Sequence, residues 1–155
     1  MSFATAYLSD PNRVQGGESF NEAGVDLSFE TFEDGLRVGR FAKMDTGSVD
    51  NMDASVTPDL VGSVARNDAN AVEDGSTIDS ALYSQVSVRR EGLMTVDVKS
   101  GETAPAIGTQ IGAYNVADAD VGLALASGGI ATTAEFIQEI TTNVWLVRLG
   151  AYEPA

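Results

Sequence analysis

From Val61 to the carboxyl end the chain repeats one arrangement, a short apolar run followed by a cluster of Gly, Asp, Asn or Ser. The runs are "LVGSVA", "SQVSVRR", "GLMTVDV", "TQIGAYNV", "VGLALA", "TTAEFIQEI" and "NVWLVRL". Short runs bounded by turn formers predict many strands rather than helices. Strand side chains alternate between faces, so "LMTVDV" puts Met94, Val96 and Val98 on one face and Leu93, Thr95 and Asp97 on the other. The first face is a core face. In "NVWLVRL" both faces are apolar apart from Arg148, the pattern of a strand covered on both sides, with Trp145 as its anchor. A helix is conceivable only over "ATTAEFIQEI", where Ala134, Ile137 and Ile140 form a stripe. Thr132, Thr133 and Ile140 favour extended structure instead, and Thr141 with Asn143 separates the run from the next strand, which predicts a hairpin. Arg89, Arg90 and Glu91 before Gly92 read as the tip of a reversal between "SQVSV" and "LMTVDV". These elements predict a mainly β fold, an antiparallel β-sandwich or barrel.

The first 35 residues differ. They carry seven acids and one arginine, and their apolar residues, Phe3, Tyr7, Leu8, Val14, Phe20, Phe29 and Phe32, are scattered. This reads either as an extended N-terminal arm (residues 1–35) ahead of a single β domain (36–155), or as a docked first segment of that domain. At Leu36 the charge reverses: "LRVGRFAKM" holds three cations, after which residues 45–79 hold eight acids and only Arg66 as a cation. As a continuous strand, "LRVGRFAKM" places Arg37 and Lys43 on one face with Gly39 and Phe41, and Arg40 on the other with Val38, Ala42 and Met44. Either these charges offset nearby acids such as Glu33, Asp34 and Asp45, or Arg37 and Lys43 meet carboxylates on another protein chain.

Composition narrows the chemistry. A chain of 155 residues is the size of one domain with one sizeable core. Its 43% apolar content and mean hydropathy of -0.02 are those of a globular protein, and no apolar run approaches the roughly 20 residues of a membrane helix. "MSFATAYLSDPNR" lacks both a basic leader and an apolar signal core, so synthesis and assembly in the cytoplasm are expected. Without cysteine there is no disulfide, thiolate nucleophile or cysteine zinc site, and without histidine the usual base near neutral pH is missing. A net charge of -14 repels nucleic-acid phosphates.

The remaining candidates are carboxylates. "DANAVEDGSTID" offers Asp68, Asn70, Asp74 and Asp79, but an EF-hand loop wants an oxygen ligand at its fifth position and glycine at its sixth, where Val72 and Glu73 stand. Asp118 and Asp120 read as turn residues bonding neighbouring backbone amides. Asp97 and Glu102 are the pair a glycan-degrading β-enzyme would need, although Glu102 lies in an "SGET" turn. No phosphate loop or G-x-S-x-G nucleophile turn occurs.

One longer block carries a resemblance. "VGSVARNDANAVEDGSTIDSALYSQVSVRREGLMTVDVKSGETAPAIGTQIGAYN", followed by "AEFIQEITTNVWLVRLG", resembles the structural cement, or capsid decoration, proteins of tailed bacteriophages. The likeness lies in the strand Val61–Ala65 with Gly62, the acidic loop after it, Tyr83 leading into "RREG", the "VDVKSGE" exit and the closing "NVWLVRL", and it spans roughly residues 36–150. It implies a virion structural protein without catalytic residues, cofactor or metal. Such a protein binds the outside of the assembled shell and cements neighbouring major capsid subunits, working as a homo-oligomer of two or three chains with no nucleic-acid or membrane partner. Candidate interface residues are then Phe3, Tyr7 and Leu8 in the arm, Arg37 and Lys43, and Arg89 and Arg90, whose charges are otherwise solvated. The alternatives are a tail or baseplate β-module, or the glycan-degrading enzyme using Asp97 and Glu102.

The absence of histidine and cysteine and the failed calcium spacing predict that metals are dispensable. Chelator should leave the melting temperature unchanged; a fall of several degrees reversed by calcium contradicts this and makes Asp68, Asp74 and Asp79 ligands.

Overall fold

The computed structural model describes residues 25–30, 36–45, 48–53, 59–64, 77–78, 85–101 and 104–150. Among these every regular element is a strand: β1 (Val25–Glu30), β2 (Leu36–Arg37), β3 (Phe41–Asp45), β4 (Ser48–Asn51), β5 (Asp59–Val64), β6 (Thr77–Ile78), β7 (Gln85–Asp97), β8 (Gln110–Ala113), β9 (Ala124–Leu125), β10 (Ile130–Thr141) and β11 (Val144–Leu149). The fold is all-β, as the strand pattern predicted. One large sheet runs β4-β3-β5-β7-β11-β10-β8-β9 with β1 also on β7, and β2 pairs with β6 in a separate two-stranded ribbon.

Strand β7 organises the whole. Its first half is flanked by β1, from Phe29 opposite Val86 to Leu27 opposite Val88, and by β5, with Val64 opposite Val88. Its second half pairs with β11, from Leu149 opposite Gly92 to Val144 opposite Asp97. The changeover lies at "RREG". Val25 faces Glu91 and Asp26 faces Arg89, so Arg90 is an extra residue, a β-bulge, and Gly92 two residues on has φ 105°, a conformation that side chains resist. The expected reversal at this point is therefore corrected. Glycine and charge mark a bend within one 13-residue strand, not a hairpin.

Beyond the bend the sheet curls into a half-barrel. Strands β7, β11, β10, β8 and β9 pair in sequence, and a parallel bridge from Val98 to Ala124, with the Lys99 amide donating to the Ala124 carbonyl at 3.0 Å, joins the last strand to the first. The five strands thus form a curled half-barrel. The β10–β11 hairpin forms as predicted, turning at Asn143 with φ 62°. Inside lie Met94, Val96, Val98, Ile111, Ala113, Ala134, Phe136, Val147 and Leu149, and Trp145 meets Phe136 edge-on with ring centroids 5.3 Å apart. Each large apolar side chain buried here contributes roughly 1.5–3 kcal/mol. Trp145 is the anchor its strand pattern suggested.

Before the bend a second core gathers Leu36, Val38, Ala42, Val49, Val86 and Val88. Strand β3 stands between the two cores, because Phe41 belongs to the first and its neighbour Ala42 to the second. The stretch "LRVGRFAKM" is not one strand. It is β2, a turn with Gly39 at φ 78°, and β3, so the two-face reading of its cations is corrected as well.

The segment read as an arm contributes β1, hydrogen-bonded along β7 ahead of Leu36. A chain beginning at Leu36 should therefore melt several degrees below one beginning at Val25, since only the shorter chain lacks β1. About 1 kcal/mol corresponds to roughly 2–4 °C at this size. Equal melting temperatures contradict a structural role for β1.

Candidate interaction surface

The cations singled out in the sequence differ in exposure. Lys43, on β3, is 8% exposed and ion-paired with Asp53. Arg89 is 4% exposed and donates from Nη1 to the Leu93 carbonyl at 2.9 Å, bridging the bend in β7. Arg37 is half-buried in β2, its backbone amide donating to Asn51 Oδ1 at 3.0 Å, and Arg90 is exposed. Of the four, Lys43 and Arg89 are buried and engaged within the subunit. Phe3, Tyr7, Leu8, Asp68, Asn70, Asp74, Asp79 and Glu102 lie outside the described residues, and Asp97 is half-buried, its amide donating to the Gly39 carbonyl at 3.0 Å.

Arg40, which did not figure among the candidates, occupies the junction of the two cores. Its Nη1 donates to the carbonyls of Ala119 at 2.7 Å and Val121 at 3.1 Å, and the Phe41 amide donates to the Gly122 carbonyl at 2.9 Å. Burial lowers the Arg40 pKa, repulsion from Arg37 lowers it further, and Asp97, Asp120 and Asp118 act to raise it. An arginine nonetheless stays charged at neutral pH. The loop receiving it is tied internally: Asp118 Oδ1 accepts from the Asp120 amide at 2.8 Å and Asp118 Oδ2 from the Tyr114 hydroxyl at 2.9 Å. Lys99 lies 3.6 Å from Asp120 and over the Tyr114 ring. Asp118 is the amide-bonding turn residue its sequence suggested, and the acids around it neutralise a cation that clasps the barrel to β3.

A different surface was not singled out by motif, because its signal is an absence. Residues 103–117 and 121–134 contain no charged side chain in a chain that is 21% charged. Their strands lie side by side, with Ile130 opposite Ala113 and Ala131 opposite Gly112, and the Gly108 amide donates to the Phe136 carbonyl at 2.7 Å. Ile107, at the tip of the turn before β8, is 77% exposed. Beside it runs a groove of about 470 Å³ between the start of β8 and the 126–129 turn, lined among others by Thr109, Ile111, Ala126, Ser127 and Ala131. Among the described residues no group of three or more histidine, cysteine, aspartate or glutamate side chains is placed to hold a metal ion.

No protein-family model matches the chain, and no curated protein matches it. Among solved structures, a chain in the capsid of Myoviridae phage XM1 matches with 30% identity and a TM-score of 0.80, over 90% of this chain and 92% of that one. The present chain belongs to the family of that tailed-phage capsid protein. It is a phage capsid-associated structural protein.

The Arg40 clasp is testable on its own. Arg40→Met should destabilise the protein by about 1–3 kcal/mol, since it removes charge-assisted bonds to two carbonyls. Thermal denaturation that shows no change would mean that the junction is held without Arg40, by the apolar contacts of Phe41 and the backbone bonds of Phe41 and Asp97.

Proposed function

We propose that this capsid-associated structural protein is a decoration protein, binding the exterior of an assembled phage head and cementing neighbouring major capsid subunits. The observation that carries the proposal is the near full-length likeness to a chain of a phage capsid. The acidic composition supports an exterior place, since a subunit of net charge -14 is repelled by packaged DNA. The same repulsion favours a partner that offers cationic or neutral ground. In this reading the exposed Arg90, Arg37 and the aromatic and apolar residues Phe3, Tyr7 and Leu8 are contacts to the shell. Lys43 and Arg89 are engaged within the subunit. Multiple copies on a repeating lattice strengthen weak individual contacts where the copies are themselves joined.

Purified protein mixed with heads that lack it should co-sediment with them and saturate at a fixed ratio of copies to major capsid subunits. It should also raise the temperature at which the heads release DNA. Failure to bind intact heads, with binding to tails or baseplates instead, overturns the proposal.

A further inference from the structure

We propose that Lys43 and Asp53 become covalently joined once the chain has folded, their side chains condensing to an amide that staples β3 to the segment just past β4. The inference is independent of the capsid role, since it concerns the chemistry of one side-chain pair.

The fold brings the two reacting groups together. β3 and β4 form a regular ladder in which Ala42 faces Asn51, Lys43 faces Asp50 and Met44 faces Val49. Side chains alternate along both strands. Ala42 and Val49 therefore point to the core around Leu36, while Phe41 and Met52 enter the half-barrel core on the other side. Lys43 and Asp50 share the face of Phe41. Lys43 is 8% exposed, and its Nζ lies against Asp53 Oδ2. Groups held in one geometry react as though present at roughly 10⁵–10⁸ M, an advantage that free amines and carboxylates in water lack. The Asp53 side chain is 39% exposed, which gives released water an exit.

Two features favour an amide over a plain ion pair. The first is residue type. Seven of the nine cations are arginine, among them Arg89 at 4% exposure, and only Lys43 and Lys99 are lysine. Arginine, being planar and weakly hydrated, is the usual choice for a buried ion pair. Only lysine offers a primary amine that can become an amide. The second feature is another carboxylate. Asp50 stands opposite Lys43, which sets their Cβ atoms roughly 4.5–5.5 Å apart, and Ser48 Oγ donates to Asp50 Oδ1 at 3.1 Å. An ion pair needs one carboxylate, whereas condensation gains from a second that carries protons between the amine and the leaving oxygen.

The step balances without oxidant, reductant or further reactant. The Lys43 ammonium yields one proton to the Asp53 carboxylate, leaving an amine and a carboxylic acid, a neutral pair that apolar surroundings favour. Nζ then attacks Cγ and the Nζ–Cγ bond forms. Asp50 takes a proton from the nitrogen and returns it to the Asp53 hydroxyl oxygen. The Cγ–O bond breaks, water leaves, and one hydrogen remains on the amide nitrogen.

The sequence supplies its own test, because Met44 follows Lys43 and Met52 precedes Asp53. Cyanogen bromide cuts after methionine and so separates the two residues unless a bond joins them. The full chain, folded and kept at neutral pH, should weigh one water less than its sequence by intact mass spectrometry. Its cleavage products should include residues 2–44 still attached to residues 53–94. Lys43→Arg, which keeps the charge, and Asp53→Ala should restore the full mass and yield separate pieces. Asp50→Asn should join about 100-fold more slowly. A wild-type chain of full mass that falls into separate pieces overturns the inference, as does a missing water that persists in Lys43→Arg. An Asp50→Asn chain that joins as fast as the wild type overturns the part given to Asp50. The decisive reading is made on the wild-type chain and does not depend on any variant folding.

Discussion

One strand belongs to two hydrophobic cores, and the rest of the molecule is arranged around that sharing. Val86 and Val88 of β7 pack in the core that includes Leu36 and Val49, while Met94 and Val96 of the same strand pack with Phe136 and Val147. A strand cannot serve two sheets without turning, and the bulge at Arg90 with the positive φ of Gly92 provides the turn. Substituting a β-branched residue at Gly92 would oppose that backbone and misalign both pairings at once. The buried Arg89, donating across the bend to Leu93, holds the turned geometry from inside.

The two cores are fastened a second time through the segment from Gly39 to Phe41. The Asp97 amide bonds the Gly39 carbonyl, Arg40 reaches the carbonyls of Ala119 and Val121, and Phe41 enters the barrel core while bonding Gly122. A protein held at two separate points behaves as one rigid piece more readily than one joined by a single strand. Rigidity of this kind suits a component whose family membership places it among capsid proteins.

Much of this architecture is legible in the order of residues alone. Alternation in "LMTVDV" and "NVWLVRL", the Thr-rich start of "TTAEFIQEI" and the asparagine ahead of the last strand point to the barrel strands, the hairpin and the Trp145 anchor. The local signal fails where two structures share one signature. "RREG" suits both a hairpin tip and a bend, and only the partners on either side of β7 distinguish them. "LRVGRFAKM" shows strand residues throughout, yet Gly39 at positive φ divides it. β1 is obscured when residues 1–35 are treated as a unit; within it Val25, Leu27 and Phe29 alternate with Asp26, Ser28 and Glu30, a period of two in plain view. The cations Lys43 and Arg89 look like surface residues because burial of a charge depends on a partner supplied by distant sequence. The uncharged face escapes notice because motifs are defined by residues that are present.

If this two-core subunit is an exterior component of a phage head, electron cryo-microscopy of heads purified with and without the protein tests that role most directly. Added density is expected on the outer surface only, repeated with the symmetry of the shell, and the shared β7 and curled half-barrel should fit into it as one body. Density on the inner surface, on the tail, or absent from both preparations would contradict the exterior role.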